Sequence, residues 1–333
     1  MSIEAQSQGK RGSGRQRLRE CFTKDVRRVR VFADGSKADV SELVGRLVPW
    51  LSERCDTVDV HHDLRRDCKR LEANPIPEEE LPDLAVVLGG DGSILTVVRA
   101  FRERPVPVLG INFGRVGFLA SVAVDHWQSA LEEVLAKESV LEPRMRLSAQ
   151  LQKRNAQSVS AVALNDFVVQ RGAAQGMMTL SLEDGESWVS DYRADGLILA
   201  SPSGSTAHSL AAGGPILAPS MRGIVVTPIS PQSLSHRPMV LHPDSVLQVT
   251  VEKAAGLVTL AVDGHGFYPM QQGDSLTVQH HPVLYPLLAR PGSDPYVRVR
   301  ERLGWRGSFE AEPGIETHHG GEEGYNAGEG EVL

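Results

Sequence analysis

Cysteine is scarce. The chain has only Cys21, Cys55 and Cys68 in 333 residues, too few and too irregularly spaced for a disulfide framework or a metal-type cluster. Reduced thiols, and a cytoplasmic location, are the simplest expectation. Aromatic residues make up 5%, so the core must be mostly aliphatic. No apolar run is long enough for a membrane helix, and the first residues lack the apolar centre of a signal peptide. A basic surplus is missing as well. The net charge of −7 resides in seven glutamates after Ser308, a stretch without lysine or arginine. Neither a nucleic-acid partner nor a membrane partner is therefore expected.

What is present is a chain with 41% hydrophobic residues, enough for two domains of ordinary size. Its organising stretch runs from Leu84 to Leu95. Leu84-Ala85-Val86-Val87-Leu88 reads as a strand buried on both faces. Gly89-Gly90-Asp91-Gly92-Ser93 follows, and helical spacing starts at Ser93, with Ile94, Val97, Val98 and Phe101 on one face. Glycines between a strand and a helix let a phosphate approach the backbone and the first N–H groups of the helix. Asp91 in that turn reads either as a helix cap or as a group with a task, since a carboxylate otherwise repels phosphate. The turn is neither the G-x-G-x-x-G dinucleotide fingerprint nor a P-loop.

Strands and helices alternate before residue 144. Val26–Ala33, Thr57–His61, Leu84–Leu88 and Val106–Asn112 read as strands, and Asp39–Arg54 as a helix interrupted by Pro49. Asp125 is placed to cap a helix running to Lys137. This order predicts an α/β, Rossmann-like, doubly wound domain over 26–143, with ligands at the carboxyl ends of its strands. From Met145 the apolar period becomes two, and Ser160–Gln170 reads as one continuous strand. Many short strands, with Asp184-Gly185 as a hairpin turn, predict an all-β sandwich over 144–300. Residues 1–25 read as a disordered basic extension and 301–333 as a disordered acidic Gly/Glu-rich tail; the pair His318-His319 in that tail reads as inert.

A second small-residue stretch runs from Asp195-Gly196 through Ser201-Pro202-Ser203-Gly204-Ser205-Thr206-Ala207-His208-Ser209 to Gly213-Gly214-Pro215. A plain turn needs one glycine and one cap. This one has hydroxyls at positions 201, 203, 205 and 206 and a glycine stop only two helical turns later, which favours a ligand-holding segment.

Together these motifs resemble the NAD kinase family. Gly89-Gly90-Asp91-Gly92-Ser93 is similar to the family's Gly-Gly-Asp-Gly-Thr, and Asp195 to Pro215 to its Thr-Pro-Thr-Gly-Ser-Thr-Ala-Tyr run. Leu164-Asn165-Asp166, Gly114–Leu119, Pro228–Pro238 and Asp263-Gly264 resemble further family segments, in order, from about Val29 to Pro291. The resemblance implies phosphorylation of NAD at the 2′-hydroxyl of its adenosine ribose, from ATP or polyphosphate, by dimers or tetramers. A divalent cation such as Mg²⁺ is expected on the donor phosphates, with no side-chain metal ligands identified.

By the same resemblance Asp91 is the general base, and Gly89, Gly90, Gly92 and Ser93 form the donor-phosphate loop. Asn165, Asp166, Arg193, Asp195, Thr206, Ala207, His208, Ser209 and Ala211 are assigned to NAD. Phe118 reads as a stacking group or a core phenylalanine, Arg193 as a site residue or a surface charge, and Asp263 as a ligand contact or a turn with Gly264. His208 stands where the family has tyrosine, Ala211 where serine is common, Gln232 where histidine is common, and His265 where glutamine is frequent. Two other readings compete: a lipid kinase of the diacylglycerol or sphingosine type, which shares the Gly-Gly-Asp-Gly turn, and an NAD sensor without turnover.

Overall fold

The computed structural model describes residues 24–62, 76–114, 117–154, 158–172 and 176–305. The expectations for residues 1–23 and 306–333, for Cys21, Cys68 and the pair His318-His319 fall outside these residues. Cys55 is a free thiol.

The first unit holds β1 (Arg28–Ala33), α1 (Ala38–Ser52), β2 (Thr57–His61), β3 (Leu84–Leu88), α2 (Asp91–Phe101), β4 (Val108–Asn112), β5 (Val122–Ala123), α3 (Trp127–Leu135) and β6 (Val140–Arg144). Strands β2-β1-β3-β4 pair in parallel in that order, with β5 also parallel to β4. Residues alternate between the two faces of the sheet. Val29, Val31, Leu84, Val86, Leu109 and Ile111 pack against α1 and α3. Phe32, Ala85, Val87 and Val108 pack against α2. Helices on both faces explain why β3 and β4 are unbroken apolar runs. The order of β1 between β2 and β3 puts a topological switch beside the carboxyl end of β3, where the glycine turn lies.

Local departures have local causes. Pro49 does not stop α1, which runs on to Ser52. The carbonyl it leaves unbonded is that of Gly45, and both residues are exposed, so water can satisfy it. Asp125 lies in a 3₁₀ turn one residue too early to cap α3, whose N-cap is His126 without a side-chain bond. Helix α2 starts at Asp91, two residues before the apolar spacing suggests, with Gly90 at the N-cap. Burial of Ile94, Val97, Val98 and Phe101, at about 2 kcal/mol each, outweighs the ~1 kcal/mol that Gly92 costs the first turn.

The second unit is a sandwich of β7 (Leu147–Gln152), β8 (Val159–Ala163), β9 (Asp166–Arg171), β10 (Met178–Asp184), β11 (Ser187–Ala194), β12 (Gly196–Ala200), β13 (Ile224–Ile229), β14 (Met239–Leu241), β15 (Leu247–Lys253), β16 (Val258–Val262), β17 (Gly266–Met270) and β18 (Ser275–His280), with the short helix α4 (His208–Ala211) after β12. One sheet has the order β11-β10-β15-β18-β7-β8 and the other β14-β13-β12-β9-β16-β17. Leu180, Leu182, Val249 and Val278 of the first meet Phe167, Val169, Leu199 and Leu260 of the second. Asp184-Gly185 makes the expected hairpin turn, with Gly185 at φ 61°.

The stretch expected as one strand over Ser160–Gln170 is two. It breaks at Leu164-Asn165, where the chain leaves one sheet (β8 on β7) and enters the other (β9 on β12 and β16). The outer face of the second sheet is covered in turn. Val168, Ile198, Ala200, Val225 and Ala261 pack under Ala212, near the end of the small-residue stretch, and Leu217, just after it.

The chain then returns to the first unit. β19 (Tyr285–Ala289) inserts in the first sheet, parallel to β4 and antiparallel to β6. Helix α5 (Pro295–Leu303) follows, capped by Asp294 on the Tyr296 N–H (2.8 Å) and ended by Gly304 at φ 68°. Residues 285–303 therefore belong structurally with 28–144, although the sequence reading assigns 285–300 to the sandwich and 301–303 to the disordered tail; 301–303 instead complete a capped helix. Two crossings join the units, and the buried Arg146 sits at both. Its guanidinium donates to the carbonyls of Arg102 (2.6 Å), Glu103 (3.1 Å) and Val283 (3.2 Å). It thereby fixes the chain just beyond the C-terminal end of α2.

Candidate active site

The turn after β3 places Asp91 at the first position of α2, and its carboxylate crosses to the loop after β4. Oδ2 accepts from the Phe118 N–H (3.0 Å), and Oδ1 from the N–H groups of Leu119 and Ala120 (3.0 Å each). Gly117 is required there, because a Cβ at that position would lie 2.0 Å from Asp91 Oδ1. A carboxylate offers about four lone-pair sites. Three are filled, and the one remaining is on Oδ2 of a partly exposed residue. Asp91 is therefore neither a helix cap nor a loose charge. It is an oriented acceptor with one open position. The intrahelical bonds start at Ser93 N to Gly90 O (3.0 Å), so the N–H groups of Asp91 and Gly92 precede them, as an anion site requires.

A second clamp of the same design lies across α2. Asp263 Oδ2 accepts from Leu164 N–H (2.9 Å), and Oδ1 from Asn165 N–H (2.7 Å) and Asp166 N–H (3.1 Å). These bonds are why the backbone leaves the ladder at Leu164-Asn165. Asp263 is buried and held at φ 48°, followed by Gly264 at φ 72°. Burial raises its carboxyl pKa, and the three N–H groups and Arg99 oppose that rise. Its carboxylate shapes the Asn165-Asp166 backbone and has little capacity left for a ligand. Arg99 of α2 reaches the Asp263 carbonyl at 3.5 Å, so one helix spans both clamps over about 12 Å.

The small-residue stretch packs on the same backbone. Ser201 N–H donates to the Asn165 carbonyl (2.8 Å), and its hydroxyl to the Leu164 carbonyl (2.5 Å). Gly204 lies so close that a Cβ there would sit 2.1 Å from the Asn165 oxygen. Ser205 bridges Pro202 O (2.7 Å) and Leu217 N (3.0 Å), Thr206 donates to Ser203 O (3.0 Å), and Ser209 pairs with Thr227 (2.8 Å). Most of these hydroxyls therefore build the turn. Ser209 is fully buried, so its place is structural. Two buried polar atoms here lack a partner, Asn165 Oδ1 and Ser203 Oγ. Such atoms are costly without a ligand. The one sequence signal for Ser203 is its place in a hydroxyl-dense turn.

The remaining residues divide by position. Phe118 is partly exposed and belongs to no core cluster. Ala207 and Thr206 are partly exposed, and His208 and Ala211 are exposed on the rim. Asp166 is buried at the start of β9. Burial and the neighbouring Asp263 charge push its carboxyl up to about 7. Arg193 and Asp195 lie elsewhere. Gly196 pairs with Gln170 while Ala200 pairs with Asp166, so Asp195 is at the opposite end of β12, roughly 16 Å from Asp166 along the strands. Asp195 is paired with Arg171 (2.6 Å), and Arg193 is exposed. The single chain does not bring these two to Asp91 or Asn165.

An α/β unit with a glycine turn at its switch point, joined by two crossings to a β-sandwich, defines a nucleotide-phosphate-binding protein of kinase type. The sequence profile of the ATP-NAD kinase N-terminal domain matches residues 35–139, and that of the ATP-NAD kinase C-terminal domain matches 164–287. The chain is 34% identical to the NAD kinase of Trichlorobacter lovleyi over 286 residues, 84% of this chain and 99% of that protein. It is 38% identical to the NAD kinase of Heliobacterium modesticaldum over 281 residues, 83% of this chain and 98% of that one. Among solved structures, yeast NADH kinase complexed with NADH superposes with a TM-score of 0.75 at 28% identity, covering 86% of this chain and 90% of that chain. An NAD kinase from Archaeoglobus fulgidus in complex with ATP shares the fold, with a TM-score of 0.65 at 24% identity over 83% of this chain and 98% of that chain. The chain belongs to the NAD kinase family.

Proposed function

We propose that this protein phosphorylates NAD at the 2′-hydroxyl of its adenosine ribose, forming NADP, with Asp91 as general base. The observation that carries the assignment of Asp91 is its clamp: three backbone N–H groups orient the carboxylate and leave one lone pair of Oδ2 open. A ribose hydroxyl donating to that position gives up its proton as its oxygen attacks the terminal phosphorus of the donor. The bond from that phosphorus to the bridging oxygen breaks, and the shortened donor leaves. The N–H groups at the start of α2, with Gly89, Gly90, Gly92 and Ser93, receive the donor phosphates. Asn165 Oδ1 and Ser203 Oγ supply unsatisfied acceptor and donor capacity for the nucleoside, beside Asp166, Phe118, Thr206 and Ala207.

The divalent cation, Mg²⁺ in this reading, enters with the donor phosphates. Among the described residues no three His, Cys, Asp or Glu side chains are grouped to hold one. Neutralising donor charge is the chemistry it brings. The reading includes a homodimer or homotetramer; Arg193 and Asp195, assigned to NAD by resemblance, lie away from Asp91 and Asn165 in the single chain. No described helix is long and apolar enough to cross a membrane, and the reading places the enzyme in the cytoplasm. Neither the lipid-kinase nor the sensing reading has an observation in its favour.

The test is NADP formation from NAD with Mg²⁺ and either ATP or polyphosphate, and from NADH in parallel. Turnover with at least one donor is expected. NAD binding without NADP under either donor overturns the kinase reading.

A further inference from the structure

A cleft opens between the two units at the far end of α2 from the glycine turn, and the site described above does not use it. It holds about 730 Å³, within the range of cavities that take a nucleotide-sized ligand. Helix α2 is 11 residues long, so its far end lies roughly 16 Å from Asp91. Neither Asp91 nor Asn165 lines the cleft. The Asp263 turn divides the two places. Val262 and Gly266, on either side of that turn, line the cleft, while the Asp263 carboxylate holds the backbone of Asn165 and Asp166.

The wall from the first unit is cationic. Arg99, Arg102 and Arg104 line it, and Arg146 joins them from the first crossing. Among the described residues Glu103 is the one carboxylate on the wall. Arginines at a helix end are ordinary, because the last carbonyls need donors and carry about half a negative charge. That role accounts for many of their bonds. Arg104 donates to the carbonyls of Phe101 (3.2 Å) and Ile76, and Arg146 to those of Arg102, Glu103 and Val283. Carbonyls satisfy N–H groups, but they do not neutralise whole charges. Arg146 is 0% exposed, and its described partners are those carbonyls and the His281 ring nitrogen (3.2 Å), with no carboxylate among them. A buried guanidinium without a counter-charge is costly, and an anion in the cleft it borders would answer it.

The rest of the cleft has a different chemistry. Val98, Leu164 and Val262 form a buried apolar floor. Tyr268 of β17 packs on the sandwich core and lines the cleft beside that floor. Ser160 adds an exposed hydroxyl from the edge strand β8. An inorganic anion needs only the arginines. An aromatic ring and an apolar floor beside them suit a planar base.

We propose that this cleft is a binding site for a phosphorylated nucleoside, separate from the site at Asp91, with the phosphate at the arginine wall and the base against Tyr268 and the apolar floor. The proposal goes beyond the kinase reading, and its test needs no turnover.

The test is calorimetric titration of AMP, with GMP and CMP in parallel, into the full chain in saturating NAD. It is run on the wild type, Ser160→Glu and Tyr268→Leu, with inorganic phosphate as the comparison ligand. Ser160→Glu sets a carboxylate on the wall from an exposed position. Tyr268→Leu keeps an apolar side chain and removes the ring face. Cooperative urea unfolding marks each variant as folded. At least one of the three nucleotides should bind the wild type with NAD present, about tenfold or more tighter than phosphate. Ser160→Glu should weaken that binding by about tenfold, and Tyr268→Leu by about fivefold. No binding of any of the three overturns the proposal. So does an affinity unchanged in every folded variant, since the nucleotide is then held elsewhere. Phosphate bound as tightly as the nucleotide overturns it too, because the ring and the floor then contribute nothing. If Ser160→Glu does not fold, Tyr268→Leu decides. Failure to form NADP bears on the kinase reading alone.

Discussion

Asp91 and Asp263 are held in the same way and stand for different things. Each carboxylate accepts three successive backbone N–H bonds from a loop distant in sequence. Asp91 is partly exposed at the start of a helix, with one lone-pair position of Oδ2 unfilled. Asp263 is buried in a tight turn, and its loop is the point where the chain changes sheets. The comparison teaches that one motif, a carboxylate in a nest of N–H groups, builds structure when sealed and offers chemistry when one side is open. Water access, not bonding pattern, separates the two.

The comparison can be broken at several points. Asp263→Asn is expected to have the largest effect on folding, since an amide offers its NH₂ to groups that need acceptors. A loss of about 3 kcal/mol in urea unfolding is expected, because buried donors are left unsatisfied. A loss below about 0.5 kcal/mol contradicts the structural role. Gly117→Ala attacks the open clamp from its loop, where the added carbon meets Asp91 Oδ1. It should lower kcat by roughly thirtyfold, about 2 kcal/mol, while calorimetric affinity for NAD changes little. Unchanged kcat would show that the clamp does not orient the base.

The buried carboxyl beside the sealed clamp gives a pH signature. Asp166 titrates at about 7 when folded, against about 3.9 for an ordinary aspartate. The folded state holds a proton that the unfolded chain has already released. Its contribution to stability is full below about pH 3.9 and is lost as pH rises through about 7. Asp166→Asn should flatten the decline of stability over that window in denaturant titrations. An unaltered decline would mean the carboxyl is ionised in the fold. The smallest effect expected is at the rim. His208→Tyr restores the ring usual in the family at an exposed position. It should change KM for NAD by only a few-fold, less than 1 kcal/mol.

Much of this was legible in the sequence because it depends on short-range pattern. The apolar run of β3, the glycines after it, the amphipathic face of α2 and the switch to a two-residue period near Met145 are local signals. So is the Asp184-Gly185 turn. The return of β19 to the first sheet was not legible, because pairing across such a distance leaves no mark on a five-residue apolar strand. Helix α5 carries its own signals, Asp294-Pro295 at the start and Gly304 at the end, but has no strong apolar face to mark it as a helix. At the site, Asp91 and the Asn165-Asp166 pair were placed by motif. Two things were not. Asp263 serves as a backbone clamp, and the hydroxyls of Ser201, Ser205 and Ser209 are consumed by the turn, because both roles depend on contacts between distant segments.

The most direct measurement of the central claim is NADP formation from NAD by the wild type beside Asp91→Asn, with NAD affinity and urea unfolding measured on both. Asp91→Asn should lose at least about two orders of magnitude in kcat, close to 3 kcal/mol in transition-state terms, with NAD affinity nearly intact and a smaller loss of stability than Asp263→Asn, because the amide oxygen can keep the Leu119 and Ala120 N–H groups and the NH₂ faces the Phe118 N–H on the water-accessible side. Equal turnover in the two proteins would contradict the account, because the open side of the clamp would then carry no chemistry.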